Sequence, residues 1–84
     1  MITKKDVLEA ALRGEGALGK AADDEPVFVL RAQDCVSDDA VIHWATLARV
    51  MMPAIGSEAT VHKINEAHMI ADAMRSWPTR KRPD

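Results

Sequence analysis

Residues 24 to 34 read Asp-Glu-Pro-Val-Phe-Val-Leu-Arg-Ala-Gln-Asp, and the predicted fold depends on this stretch. Four consecutive apolar residues, 27 to 30, lead directly into a polar cluster. Pro26 favours an extended residue before it, and Val and Phe are strong strand formers. The pattern therefore predicts a short strand over about residues 27–31, and four apolar residues in a row predict burial on both of its faces.

A single strand leaves its backbone N–H and C=O groups without partners, and the sequence shows no second strand. Two arrangements solve this problem. Either the strand pairs with its copy in a second subunit, or the segment is a helix with Pro26 in its first turn. We favour the first arrangement, so the sequence predicts a homo-oligomer, at least a dimer.

Helical patterns lie on both sides of this stretch, over about residues 4–13, 38–52 and 58–76. Thr3 and Asp6 have the spacing of a capping box, and Gly14 is placed to end the first helix. Ser37, followed by two carboxylates, is a typical start for the second helix. Between residues 14 and 25 there is room for one helical turn, at about 17–22.

The second and third helices are separated by Pro53 and Gly56, and Ser57 is placed to cap the third. Because so few residues join them, these two helices are expected to form an antiparallel hairpin. The fold class is therefore mainly α. Residues 1–78 are expected to form a single small helical domain, and residues 79–84 a basic C-terminal tail.

Composition limits both the core and the partners. Hydrophobic residues make up 48% of the 84 residues, but aromatic residues make up only 4%. This composition predicts a thin core, and an interface between subunits would add to the buried apolar surface. A net charge of −2 gives no general reason to bind nucleic acid or an anionic membrane. The lone Cys35 fits a reducing cytoplasm, and no apolar run is long enough to span a membrane.

The residues that most often carry catalysis or bind metals have simpler explanations here. His62 and His68 are six residues apart, which places them on different sides of a helix and disfavours a metal site. Cys35 has acidic neighbours, which disfavour a reactive thiolate. The carboxylates of Asp38 and Asp39 are explained by their place at a helix start. We therefore expect a protein that is not an enzyme and has no metal or cofactor.

Arg31, Gln33 and Asp34 place a guanidinium, an amide and a carboxylate at the end of the predicted strand. Arg is the usual residue for gripping an anionic group. The alternative is that Arg31 pairs with Asp34 or Asp38 and only fixes the turn into the second helix. The basic run at residues 80–82 is usually a solvated tail, but in an oligomer the tail of one subunit could close over residues 34–39 of the next. The candidate ligand-binding residues are thus Arg31, Gln33, Asp34, Lys81 and Arg82.

The stretch from Asp24 to Asp34, followed by Trp44-Ala45 and by a C-terminus with Trp77-Pro78, Lys81 and Pro83-Asp84, resembles a group of small proteins encoded by bacteriophages and prophages. The resemblance covers residues 24–84. It implies an accessory protein that works by binding in the cytoplasm of the host cell.

Two classes of counter-defence protein fit this resemblance. One class forms oligomeric sponges that sequester nucleotide immune signals, which the polar residues Arg31 and Gln33 and the basic tail favour. The other class is the anti-CRISPR proteins, which cover a host defence effector, and the acidic clusters favour it. A small structural or regulatory phage protein is a third possibility.

Overall fold

The computed structural model describes residues 2–51 and 58–82. They form four helices, α1 (Lys4–Leu12), α2 (Gly16–Lys20), α3 (Ser37–Met51) and α4 (Glu58–Arg75). The prediction of a mainly helical chain is confirmed, since α1, α3 and α4 lie where the three helices were expected. The short α2 occupies the segment where one helical turn was expected. The predicted helix stop at Pro53 and Gly56 and the predicted cap at Ser57 lie outside the described residues.

Helix α1 begins with the capping box that its sequence predicts. The Thr3 hydroxyl accepts a hydrogen bond from the Asp6 N–H at 3.3 Å, and the Asp6 carboxylate accepts one from the Thr3 N–H at 3.0 Å. These bonds from Thr3, the backbone one foremost, lower the pKa of Asp6. The helix ends before Gly14, whose φ of +69° lies in the left-handed region that glycine adopts at little cost.

Helix α2 packs closely on α1 because Gly19 has no side chain. A Cβ at Gly19 would lie 2.8 Å from the carbonyl carbon of Gly14 and 3.2 Å from the Cα of Ala11. Among the described helices, α1 and α2 contact each other and neither contacts α3 or α4. No residue of α1 or α2 is buried, so this pair adds little to the core.

The core lies between α3 and α4 and is made mostly of small side chains. Ala45 of α3 packs with Ile64 and Ala67 of α4, and Val41 and Ala48 cover the edge of this cluster. At the end of the helix pair, Arg75 in the last turn of α4 binds Asp38 in the first turn of α3, with 3.0 Å between Nε and Oδ2. The cluster around Ala45, Ile64 and Ala67 is a thin core, as the composition predicts.

The segment that was predicted as a strand is neither strand nor helix in the single chain. Residues 26–31 have no regular secondary structure, and the exposed fractions of Val27, Phe28 and Val29 are 59, 86 and 74%. The predicted burial on both faces is therefore wrong for one isolated subunit, and so is the alternative of a helix starting near Pro26. The physical reason is that no described strand offers this segment an edge to pair with.

The structure is also less compact than a typical domain of the same length. Its radius of gyration is 13.7 Å, whereas a compact domain of this length has one of about 12 Å. Large apolar side chains stay exposed on α1, on α3 and in the 27–29 segment. Within the described residues, no helix combines the length and the apolar character that crossing a bilayer requires.

Candidate functional site

The C-terminal residues return to the segment that follows the predicted strand. The backbone N–H of Lys81 donates to the carbonyl of Gln33 at 2.6 Å, and the N–H of Cys35 donates to the carbonyl of Lys81 at 2.7 Å. These two bonds make a parallel bridge between Asp34 and Lys81. We call residues 32–35 and 80–82 the tail junction. The junction brings Lys81 next to Gln33 and Asp34, from which it is distant in sequence.

Arg80 is the side chain that anchors the tail junction. Its Nη2 donates to the carbonyl of Asp34 at 2.9 Å and to Asp38 Oδ1 at 2.8 Å, and its Nε donates to the carbonyl of Ala32 at 3.2 Å. A longer contact of 3.4 Å reaches the hydroxyl of Ser37, which is fully buried. A planar guanidinium can satisfy acceptors on several sides at once, which a lysine ammonium in this place could not do with the same geometry.

Asp38 is the acceptor at the centre of this arrangement. Its side chain is 8% exposed, and each of its two oxygens takes a hydrogen bond from a different arginine, Arg80 on Oδ1 and Arg75 on Oδ2. The hydrogen bond from Arg80, and after it the one from Arg75, lowers the pKa of Asp38 from 3.8 to about 2. Asp38 is thus ionised at neutral pH, and its charge is matched by two cations.

The sequence pointed to a contact between the basic tail and the acidic region, but between subunits. The structure makes this contact within one chain, because the end of α4 lies beside the start of α3. Arg80 of the predicted basic run makes it, although only Lys81 and Arg82 of that run were predicted as ligand-binding residues. The signal available in the sequence was the match between the three basic residues at 80–82 and the acidic residues at 34–39. It did not identify which of the basic residues would make the contact.

Arg31 is exposed at the edge of the tail junction. Its backbone carbonyl accepts the N–H of Asp34 at 3.0 Å, a turn that keeps the two Cα atoms within about 7 Å of each other. Its side chain makes no hydrogen bond or ion pair with any residue that the structure describes. The alternative in which Arg31 pairs with Asp34 or Asp38 is therefore not found, since Asp38 is bound by Arg75 and Arg80.

The five predicted ligand residues accordingly lie in one region of the chain. Gln33 and Asp34 are half-buried, while Arg31, Lys81 and Arg82 are exposed. Three cationic residues therefore lie at the bridge between Asp34 and Lys81 or within three residues of it in sequence. This arrangement is suited to contacting an anionic group.

Other chemistry has little support in the described part of the chain. No group of three His, Cys, Asp or Glu side chains there is placed to hold a metal ion. Cys35 is exposed and its thiol forms no disulfide, while its backbone N–H donates to the carbonyl of Lys81 in the bridge. Comparison with known proteins adds no assignment: no protein-family model, no curated protein and no solved structure matches this chain.

Proposed function

We infer that this chain is a non-catalytic accessory protein of phage or prophage type that binds and sequesters an anionic, nucleotide-type immune signal in the host cytoplasm. The observation that carries this proposal is the exposed side chain of Arg31 beside the tail junction, which pairs with no residue that the structure describes. A free arginine fork binds phosphate oxygens with two parallel hydrogen bonds, and it loses no internal ion pair when it does so. Lys81 and Arg82 add positive charge at the same place.

The proposal includes a homo-oligomer built on the exposed apolar segment. Val27, Phe28 and Val29 are exposed, and their backbone groups make no hydrogen bond with the described residues, so pairing with a second copy would cover the side chains and satisfy the backbone. In this assembly the segment over about 27–31 is a strand at the subunit interface, and α3 and α4 form an antiparallel hairpin. The exposed Arg31 then stands next to the interface, where sites shared between subunits are formed.

A second candidate is an anti-CRISPR-like protein that binds a host defence effector. The exposed acidic residues Asp23, Asp24 and Glu25 directly precede the exposed apolar segment, and together they offer a mixed surface for a protein partner. The neutralisation of Asp38 by two arginines weakens this candidate, because it removes one carboxylate from the acidic surface that would imitate DNA. We therefore place it second.

The test is thermal unfolding with a panel of cyclic and linear nucleotides. A nucleotide present at 100 times its dissociation constant is expected to add about 2.7 kcal/mol to the free energy of unfolding. Arg31→Ala should abolish this gain. The matched control is Arg49→Ala, which removes another exposed arginine that lies in the second half of α3, away from the tail junction.

The outcomes separate the candidates. If no nucleotide raises the melting temperature, the sequestration proposal is wrong. Specific binding of a purified CRISPR effector, lost on reversing the charges of Asp23 and Asp24, would then support the second candidate. If neither ligand nor effector binds, a small structural or regulatory phage protein is the remaining class.

A further inference from the structure

Helix α3 carries an apolar stripe that faces away from the core. It consists of Ala40, Trp44, Leu47 and Met51, and we call it the α3 seam. All four side chains are exposed, with exposed fractions of 46, 49 and 76% for Trp44, Leu47 and Met51. The steps between them are four, three and four residues, which is the spacing of the a and d positions of a coiled coil. No described helix covers this stripe, because α4 packs on the adjacent face through Ala45.

We propose that the α3 seam is the docking surface for a second copy of this chain, with the two α3 helices packed antiparallel. The proposal is independent of the nucleotide site and of the 27–31 segment. In an antiparallel pair with its two-fold axis between residues 45 and 46, Ala40 faces Met51 of the second copy and Trp44 faces its Leu47. The smallest side chain of the seam thus meets the longest, so the seam is complementary to itself in size.

Charge and area agree with a second copy as the occupant. No charged residue lies in the seam, and its flanking positions on the exposed side hold His43 and Val50, of which Val50 is 65% exposed. The seam with Val50 exposes on the order of 400 Å² of apolar surface per copy. A standard interface uses about 800 Å² per partner and is a little more than half apolar, so the seam supplies the apolar part of such an interface.

The first test compares the mass in solution of the wild type with that of Leu47→Glu. Light scattering measures both masses at one fixed protein concentration. The monomer has a mass of 9.2 kDa. Leu47→Glu is expected to halve the mass of the assembly. The matched control is Val61→Glu on α4, because Val61 is 52% exposed, like Leu47 at 49%, but lies outside the seam. Unchanged helical circular dichroism establishes that the variants fold.

A third variant separates this surface from the proposed strand pairing. If both surfaces bind copies, the wild type is a tetramer when the assembly closes with D2 symmetry and a longer chain of copies when it does not, and either Leu47→Glu or Phe28→Glu leaves a dimer. If only the seam does, the wild type is a dimer that Leu47→Glu makes monomeric and Phe28→Glu leaves intact. A monomeric wild type, or a Leu47→Glu variant that keeps the wild-type mass, overturns the proposal. The nucleotide measurement is read separately, since Leu47 lies away from the tail junction.

A second test addresses the antiparallel register. Ala40→Met alone places two methionines opposite each other and is expected to weaken the assembly roughly tenfold through overpacking. Adding Met51→Ala exchanges the small and the large residue and should restore the wild-type association. Failure of the double variant to recover any association would contradict the pairing of residue 40 with residue 51.

Discussion

Replacing Arg80 with alanine is expected to destabilise this protein more than any other single change in its basic tail. The guanidinium of Arg80 bonds the carbonyls of Ala32 and Asp34 and the carboxylate of Asp38, at distances between 2.8 and 3.2 Å. Its side chain is 20% exposed, so solvent screens these bonds only in part. The substitution removes the side-chain bonds that hold the tail to the start of α3 and leaves only the two backbone bonds of the bridge between Asp34 and Lys81.

The size of the effect follows from what remains after the change. Asp38 keeps its bond to Arg75, and water can reach part of the two freed carbonyls, so the loss is smaller than the sum of three charged hydrogen bonds. We expect Arg80→Ala to lower the free energy of unfolding by about 2 kcal/mol. In a chain of this size that corresponds to a fall in melting temperature on the order of 10 °C.

The assay is thermal unfolding followed by circular dichroism, at one protein concentration so that association does not distort the comparison. Arg82→Ala is the matched control, because Arg82 is an exposed neighbour in the same tail and its loss should cost less than about 0.5 kcal/mol. Arg80→Lys should fall between the two, since an ammonium cannot reach all three acceptors.

A second readout is specific to the contact with Asp38. Because the Arg80 bond is the largest cause of the low pKa of Asp38, that pKa should rise from about 2 toward 3.8 in Arg80→Ala. Nuclear magnetic resonance of the carboxyl carbon measures this directly. Equal melting temperatures for Arg80→Ala and Arg82→Ala, with the pKa of Asp38 unchanged, would refute the anchoring role of Arg80.

Three further predictions concern acid stability and the N-terminal helices. Because the folded pKa of Asp38 is lower than its ordinary value of 3.8, its contribution to stability is complete above about pH 4 and is lost as the pH falls toward 2. Asp38→Asn should remove this part of the pH dependence, measured by urea unfolding across that range; an equally steep acid loss in the variant would contradict it. Gly19→Ala should separate α2 from α1, because the added Cβ would lie 2.8 Å from the backbone of Gly14. Hydrogen exchange should then become faster over residues 4–20, while α3 and α4 keep their protection. The control is Lys20→Ala, a change at an exposed neighbouring residue, which should not have this effect. Thr3→Ala should weaken α1 by about 1 kcal/mol through loss of its cap, seen as faster exchange at residues 4–7 only.

The helices were predictable because their signals are local. The capping box of Thr3 and Asp6, the glycine after α1, and the periodic apolar residues of α3 and α4 each act over a few residues. The sequence therefore indicates where these helices begin and end to within one residue at the ends that the structure describes. The thin core also followed from the composition, since a chain rich in alanine and poor in aromatics packs Ala45 and Ala67 at its centre.

The predictions that failed depend on contacts between distant residues. The run from Val27 to Leu30 looked buried because apolar runs usually are, yet burial needs a second surface that a single chain does not provide here. Asp38 does lie in the first turn of α3, as predicted, but nothing near it in sequence indicated its bonds to Arg75 and Arg80. The five candidate site residues do lie in one region, but Arg80, which anchors that region, was not among the predicted ligand-binding residues.

The position of Arg80 after α4 in the sequence affects the order in which the structure can form. Its contact with Asp38 joins residues that are 42 positions apart, so a long loop must close before the contact stabilises anything. During synthesis, α3 and all of α4 leave the ribosome before Arg80 does. The start of α3 therefore acquires this anchor only after Arg80 has left the ribosome, and until then the Asp38 carboxylate has only Arg75 of its two arginine partners. A variant truncated before Arg80 would keep the sequence of every described helix and the Arg75 bond between α3 and α4, but it would lack the Arg80 bonds that hold the tail junction to the start of α3.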